Sequence, residues 1–169
     1  MKRSKHNLSH YNLLTAKMGK LIPTSCVEVL PNDVMRGQPS ALIRVSPLVA
    51  PVMHPCTVRF HTFFVATRAV CQKVQTEGAG TFDWESFVTG GKDGADAQTF
   101  PTVTNDIQEG SPADYMGVPP DIDDLSTSTL FFRAYNLIWN HWFRDQNLDD
   151  SVTVDLDDGS TDRDWETPI

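Results

Sequence analysis

The sequence predicts a mainly β fold that carries one aromatic-rich α-helix. Three features lead to that class. Between residues 21 and 70, β-branched and aromatic runs alternate with proline-bearing turns; residues 72–128 read as one long loop-rich stretch; and residues 129–145 carry an aromatic stripe at helical spacing. A chain of 169 residues with 40% hydrophobic content, four Trp and nine Phe can bury a core large enough to offset its chain entropy.

Residues 1–20 precede the first run and form a basic arm. They hold Lys2, Arg3, Lys5, Lys17 and Lys20 and no acid. The runs that follow are LIPTSCVEVL, ALIRVSPLVAPVM and CTVRFHTFFVATRAV, separated by PND, RGQPS and HP. The separators are turn chemistry, because proline fixes φ while Asn, Asp and Gly accept left-handed geometry. In the third run Val58, Phe60, Thr62 and Phe64 alternate with Arg59, His61, Phe63 and Val65, the period of a strand with one more apolar face. Pro47, Pro51 and Pro55 have no N–H to give a ladder, so the second run should be an edge or a bulge. Strands over about 21–70, joined this way, point to a sandwich or barrel.

The stretch 72–128 contains TEGAG, TGGKDGADAQ, NDIQEGSPADYMG and VPPDIDD, and is read as a loop insertion with a short helix around Asp83 to Val88. Over 129–145, STSTL offers N-cap hydroxyls. Phe131, Tyr135, Ile138 and Trp142 then recur at helical spacing, with Phe132, Trp139 and Phe143 widening the stripe and Arg133, Asn136 and Asn140 mostly opposite. So many rings on one helix call for burial, within the subunit or against a neighbour. The last segment, 146–169, is an acidic, turn-rich loop.

Chemistry is sparse. TGGKDG lacks the Lys-Ser/Thr ending of a phosphate loop and reads as a turn. In VDLDDGSTDRDWE, Gly159 is out of register for a calcium loop starting at Asp155, so a solvated acidic loop is the better reading. Cys26, Cys56 and Cys71 form no paired ligand spacing with histidine, and their odd count reads as reduced thiols in a cytoplasmic setting. No nucleophile elbow occurs, and no cofactor or metal is expected. The net charge of −8 disfavours nucleic-acid binding by the chain as a whole. A start such as MKRSKHNLSHYNLL lacks the apolar core of a secretory signal, and the apolar runs fall short of the roughly 20 residues of a membrane helix.

At the aromatic helix the chain resembles a known family. AYNLIWNHWFRDQNL, Ala134 to Leu148, is similar to the signature of gokushovirus-type major capsid proteins of the microviruses, AYN-x-IWN-x-WFRDQNL, which usually has Glu where this chain has His141. LIPTSCVEVLPND, PLVAPVMHP, FHTFFV, WESFVTGGKDG and DYMGVPP match further family segments in the same order. The resemblance implies a viral jelly roll, of which residues 21–169 would form the N-terminal part, with long insertions between strands. It implies a structural, non-enzymatic protein of a small icosahedral single-stranded-DNA bacteriophage, assembled in the host cytoplasm into the virion shell. Its partners would be other copies of itself, other phage structural proteins and the packaged DNA, with no membrane. Phe131, Tyr135, Ile138, Trp139, Trp142 and Phe143 become candidates for assembly and packing. Arg144 and Asp145 become candidates for an ion-pair network that fixes the loop, and Lys2, Arg3 and Lys5 for contact with the genome. The alternatives are a non-catalytic jelly-roll binding module and a DNA-binding accessory protein of the phage. Family members are several times longer, so an isolated N-terminal part should expose unpaired edges and apolar surface.

Overall fold

Residues 4–30, 32–51, 53–71, 102–104, 107–122, 124–154 and 156 are described by the computed structural model. The chain divides into two units, one comprising Met1–Cys26 with Val65–Ile169 and the other Val27–Phe64. The expected short helix at Asp83 to Val88 lies outside the described residues.

In the unit Val27–Phe64, the turn chemistry of PND takes effect. The Asp33 N–H donates to the Leu30 carbonyl at 3.1 Å, the Asp33 carboxylate accepts the Leu30 N–H at 3.4 Å, and Asn32 takes φ 68°. Asn accepts that left-handed conformation because its short polar side chain tolerates it. His61 and Phe63, two residues apart, stack with ring centroids 6.3 Å apart.

The strands expected over 21–70 are not formed among the described residues of that range. Instead, Leu42, Val45, Val49, Met53, Val58, Phe60 and Phe64 stand exposed to solvent. Alternation and β-branching favour a pleated, half-buried segment, but a strand exists only when its N–H and C=O groups meet a partner segment in a ladder. Where the alternation does lead to partial burial, Phe63 and Val65 are covered and Val58, Phe60 and Phe64 are not, opposite to the expected face.

The other unit holds the ordered elements. A single 3-10 turn, Thr67–Ala69, carries Val70 and Cys71 into the interior, with the Cys71 N–H on the Thr67 carbonyl at 2.9 Å. The stretch 72–128, expected as loop, contains β1 (Thr102–Thr104), α1 (Pro112–Tyr115) and β2 (Ser126–Ser128). β1 and β2 pair antiparallel, with Thr102 opposite Ser128 and Thr104 opposite Ser126, and make the one sheet among the described residues. Three-residue strands of Thr, Val and Ser are too short to show period-two alternation, which is why the pattern concealed them.

Helix α1 is one turn fixed at both ends by its own sequence. At the start, the Ser111 hydroxyl accepts the Asp114 N–H at 3.4 Å, the Asp114 carboxylate accepts the Gly110 N–H at 2.8 Å, and Pro112 occupies the first turn. These bonds satisfy orphan donors of the helix start. At the end, Gly117 at φ 93° allows the Gly117 and Val118 N–H groups to turn back onto the Asp114 and Ala113 carbonyls. That is a Schellman closure, with Val118 as its apolar contact. Ala113, with no exposed surface, then packs with Ile107 and Phe132, and Met116 and Val118 cover this small core.

Helix α2, Leu130–Ile138, fills most of the expected aromatic helix and continues into a π-helical turn, Trp139–Phe143. Its buried face is Phe132, Arg133, Tyr135, Asn136 and Trp139. Of the expected stripe, Phe132, Tyr135 and Trp139 are buried, Phe131, Ile138 and Phe143 are half-buried and Trp142 is exposed, so the buried arc is shifted to one side of the stripe. Arg133 and Asn136, assigned to the opposite side, are inside. The Arg144 N–H bonds to the Trp139 carbonyl at 2.9 Å, an i to i+5 step that inserts one residue, and Trp142 within this turn is exposed. The STSTL hydroxyls cap weakly: Thr129 makes no side-chain cap bond, and the Ser128 hydroxyl accepts the Leu130 N–H at 3.4 Å.

Candidate functional site

The aromatic helix and the loop that follows it bring most of the expected site residues together on one element. Tyr135 and Trp139 are buried; Phe131, Ile138, Phe143 and Arg144 are half-buried; Trp142 is 72% exposed and Asp145 is exposed. Of the basic residues proposed to meet a genome, Lys5 is exposed, while Lys2 and Arg3 lie outside the described residues.

The buried polar side chains of α2 act as anchors for distant backbone. Arg133 donates through Nη1 to the Val70 carbonyl at 3.1 Å, tying the helix to the chain before the 72–128 stretch. The Tyr135 hydroxyl donates to the Leu21 carbonyl at 3.1 Å. A second tyrosine works the same way, for Tyr115 donates to the Thr15 carbonyl at 2.9 Å. Asn12 supports that contact by donating to the Thr24 carbonyl at 2.8 Å and, more weakly, to the Tyr115 carbonyl at 3.4 Å. His10 Nε2 lies 2.7 Å from the Ser25 hydroxyl. The N-terminal residues from about His10 onward are therefore strapped to the unit by side chain to backbone bonds. A polar arm met only as sequence gives no sign of this, because the hydroxyls that hold its Thr15 and Leu21 carbonyls belong to Tyr115 and Tyr135, 100 and 114 residues away.

From within the π-helical turn, Asn140 reaches across residues 141–151 to Val152. Its Nδ2 donates to the Val152 carbonyl at 2.7 Å and its Oδ1 accepts the Val152 N–H at 2.9 Å. One side-chain amide thus supplies both bonds of a ladder step. Inside the loop, Asp145 Oδ1 accepts the Asn147 N–H at 2.9 Å, and the Asp145 carbonyl accepts from Leu148 and Asp149. Arg144 Nη1 donates to the Asp149 carbonyl at 2.9 Å. Arg144 and Asp145, expected in an ion-pair network, both bond to backbone groups of the loop. Asn140 escaped the sequence reading, since an Asn on a helix face is ordinarily solvated; the signal was its place one turn after Asn136 in an otherwise aromatic segment.

Among the described residues no cluster of His, Cys, Asp or Glu could hold a metal. Cys26, Cys56 and Cys71 are free thiols, and crowding around Cys26 raises its pKa above the ordinary value by desolvation. No helix among the described residues is long and apolar enough to cross a membrane.

A family model described as "Capsid protein (F protein)" matches residues 1–168. The chain belongs to this capsid protein family. The chain is also similar to the proteins called "Capsid protein VP1" of Bdellovibrio phage phiMH2K, 36% identical over 163 residues, and of Chlamydia phage 1, 33% identical over 165. A third, from Spiroplasma virus 4, is 28% identical over 165 residues. The matches cover 93%, 91% and 94% of this chain but only 28%, 26% and 28% of those relatives. The chain thus spans little more than a quarter of the length of the capsid proteins it matches, and the microviral resemblance read from the signature segment is upheld along nearly all of it.

Proposed function

We propose that this chain is the N-terminal part of a structural coat subunit that assembles with copies of itself into the icosahedral shell of a small single-stranded-DNA phage. One observation carries the reading. A capsid family match runs through residues 1–168, and the unit Val27–Phe64 within it exposes a series of large apolar side chains that ask for partner surface. In this reading residues 21–70 are strands of a viral jelly roll whose partner strands complete the ladders, and the role is structural rather than catalytic. Helix α2 supports it by spending its polar groups on backbone anchoring, with rings packed as core.

Expression of the complete gene that carries these residues, followed by sedimentation and negative-stain microscopy, tests the proposal. Uniform round particles are the expected result. A monodisperse protein that forms no particles and binds a small ligand or free DNA would favour the binding-module or accessory-protein reading and overturn this one. Lys2, Arg3 and Lys5 are proposed to meet the packaged DNA, because phosphate neutralisation by lysine and arginine is the general source of non-specific affinity. Particles of a Lys2→Ala/Arg3→Ala/Lys5→Ala variant should package less DNA; an unchanged DNA content refutes the contact.

A further inference from the structure

We propose that the clamped loop 141–151 is a docking surface for the basic segment 11–20 of a second copy of this chain, an inference that rests on the coat-subunit reading. The loop is built to be presented. Asn140 closes it on Val152 with two bonds, Arg144 braces it on the Asp149 carbonyl, and the Asp145 turn orders its middle. Such pre-ordering lowers the conformational cost of binding.

Within eleven residues this segment exposes two large apolar side chains and three carboxylates. Trp142 is 72% and Leu148 82% exposed, Asp145, Asp149 and Asp150 are exposed as well, and the bases of the segment are the exposed His141 and the half-buried Arg144. Trp is among the side chains most enriched in binding hot spots. Trp142 lies in the π-helical turn, and such turns are frequent at functional sites.

Segment 11–20 is the chemical complement. It carries Lys17 and Lys20 and no acid, and its Tyr11 and Leu13 are each 87% exposed. The segment is itself held in place, by Tyr115 on the Thr15 carbonyl and by Asn12 on the Thr24 carbonyl, so its apolar side chains are displayed from an anchored backbone. A contact between two different patches of identical chains is heterologous, the kind that repeats around rings and closed shells. Acid facing base also steers the encounter and rejects like-with-like docking of loop on loop.

The test uses particles or oligomers of the complete subunit. A photo-crosslinking amino acid replaces Trp142 in a heavy-isotope-labelled population, which is mixed with unlabelled subunit before assembly. Crosslinks between heavy and light chains should map to residues 11–20. A parallel Asp149→Lys/Asp150→Lys variant should assemble about tenfold less well at low salt, with the deficit shrinking as salt rises, since exposed pairs are screened. Lys17→Asp/Lys20→Asp in the same chain should restore assembly by exchanging the charges. Crosslinks confined to one chain or to other segments, or a charge-exchanged double variant no better than the single one, would overturn the docking while leaving a particle-forming coat protein intact. A subunit that never assembles would overturn both.

Discussion

Replacing Asn140 with Ala removes the whole of the loop clamp and nothing else of size. The wild-type amide makes bonds of 2.7 and 2.9 Å to the two backbone groups of Val152, in a half-buried setting. A net worth of about 1 kcal/mol per bond, reduced where water can replace the lost partner, puts the cost of loop opening at about 1–2 kcal/mol. That corresponds to an opening equilibrium shifted by a factor of about 5–30. Native-state hydrogen exchange reads it directly: the Val152 amide should exchange faster by that factor, while amides of α2 stay unchanged because its core contacts with Ala113 and Ile107 are untouched. Asn140→Asp provides a graded control. Its carboxylate still accepts the Val152 N–H but loses the donor and faces the Val152 carbonyl, so Val152 exchange should fall between wild type and the alanine variant. An alanine variant whose Val152 amide exchanges at the wild-type rate would refute the clamp.

Phe132→Ala should destabilise the unit by about 3–5 kcal/mol, since it empties the middle of the Ile107–Ala113–Phe132 core; thermal unfolding followed by circular dichroism checks it. Tyr135→Phe keeps the ring but removes the bond to the Leu21 carbonyl, at a cost of about 1 kcal/mol. Limited trypsin digestion should then cut at Lys17 and Lys20 several-fold faster, and an unchanged rate would mean the hydroxyl does not hold the strap. Cys26 has a pKa raised by desolvation, so less thiolate is present at a given pH, and alkylation by iodoacetamide should reach half its maximal rate at higher pH in the native chain than in urea. Coincident native and unfolded profiles would contradict that burial effect.

The sequence by itself determined the elements whose causes are local. The aromatic segment becomes helix where its periodicity places one, the PND turn forms at Asn32, and the signature AYNLIWNHWFRDQNL marks the capsid family that the match over residues 1–168 then established. Even α1, hidden within a stretch read as loop, is written in neighbours: Ser111, Pro112, Asp114 and Gly117 form both of its caps. Tertiary structure alone decided everything that depends on a distant partner. Which arc of α2 is buried was set by Ile107 and Ala113 on one side and by the Val70 and Leu21 carbonyls that take Arg133 and Tyr135, so polar residues went inside and Trp142 came out. Residues 21–70 show the same rule in reverse. Alternation makes a segment ready to pair, but a ladder bond has two ends, and only the second segment in space can turn readiness into a strand.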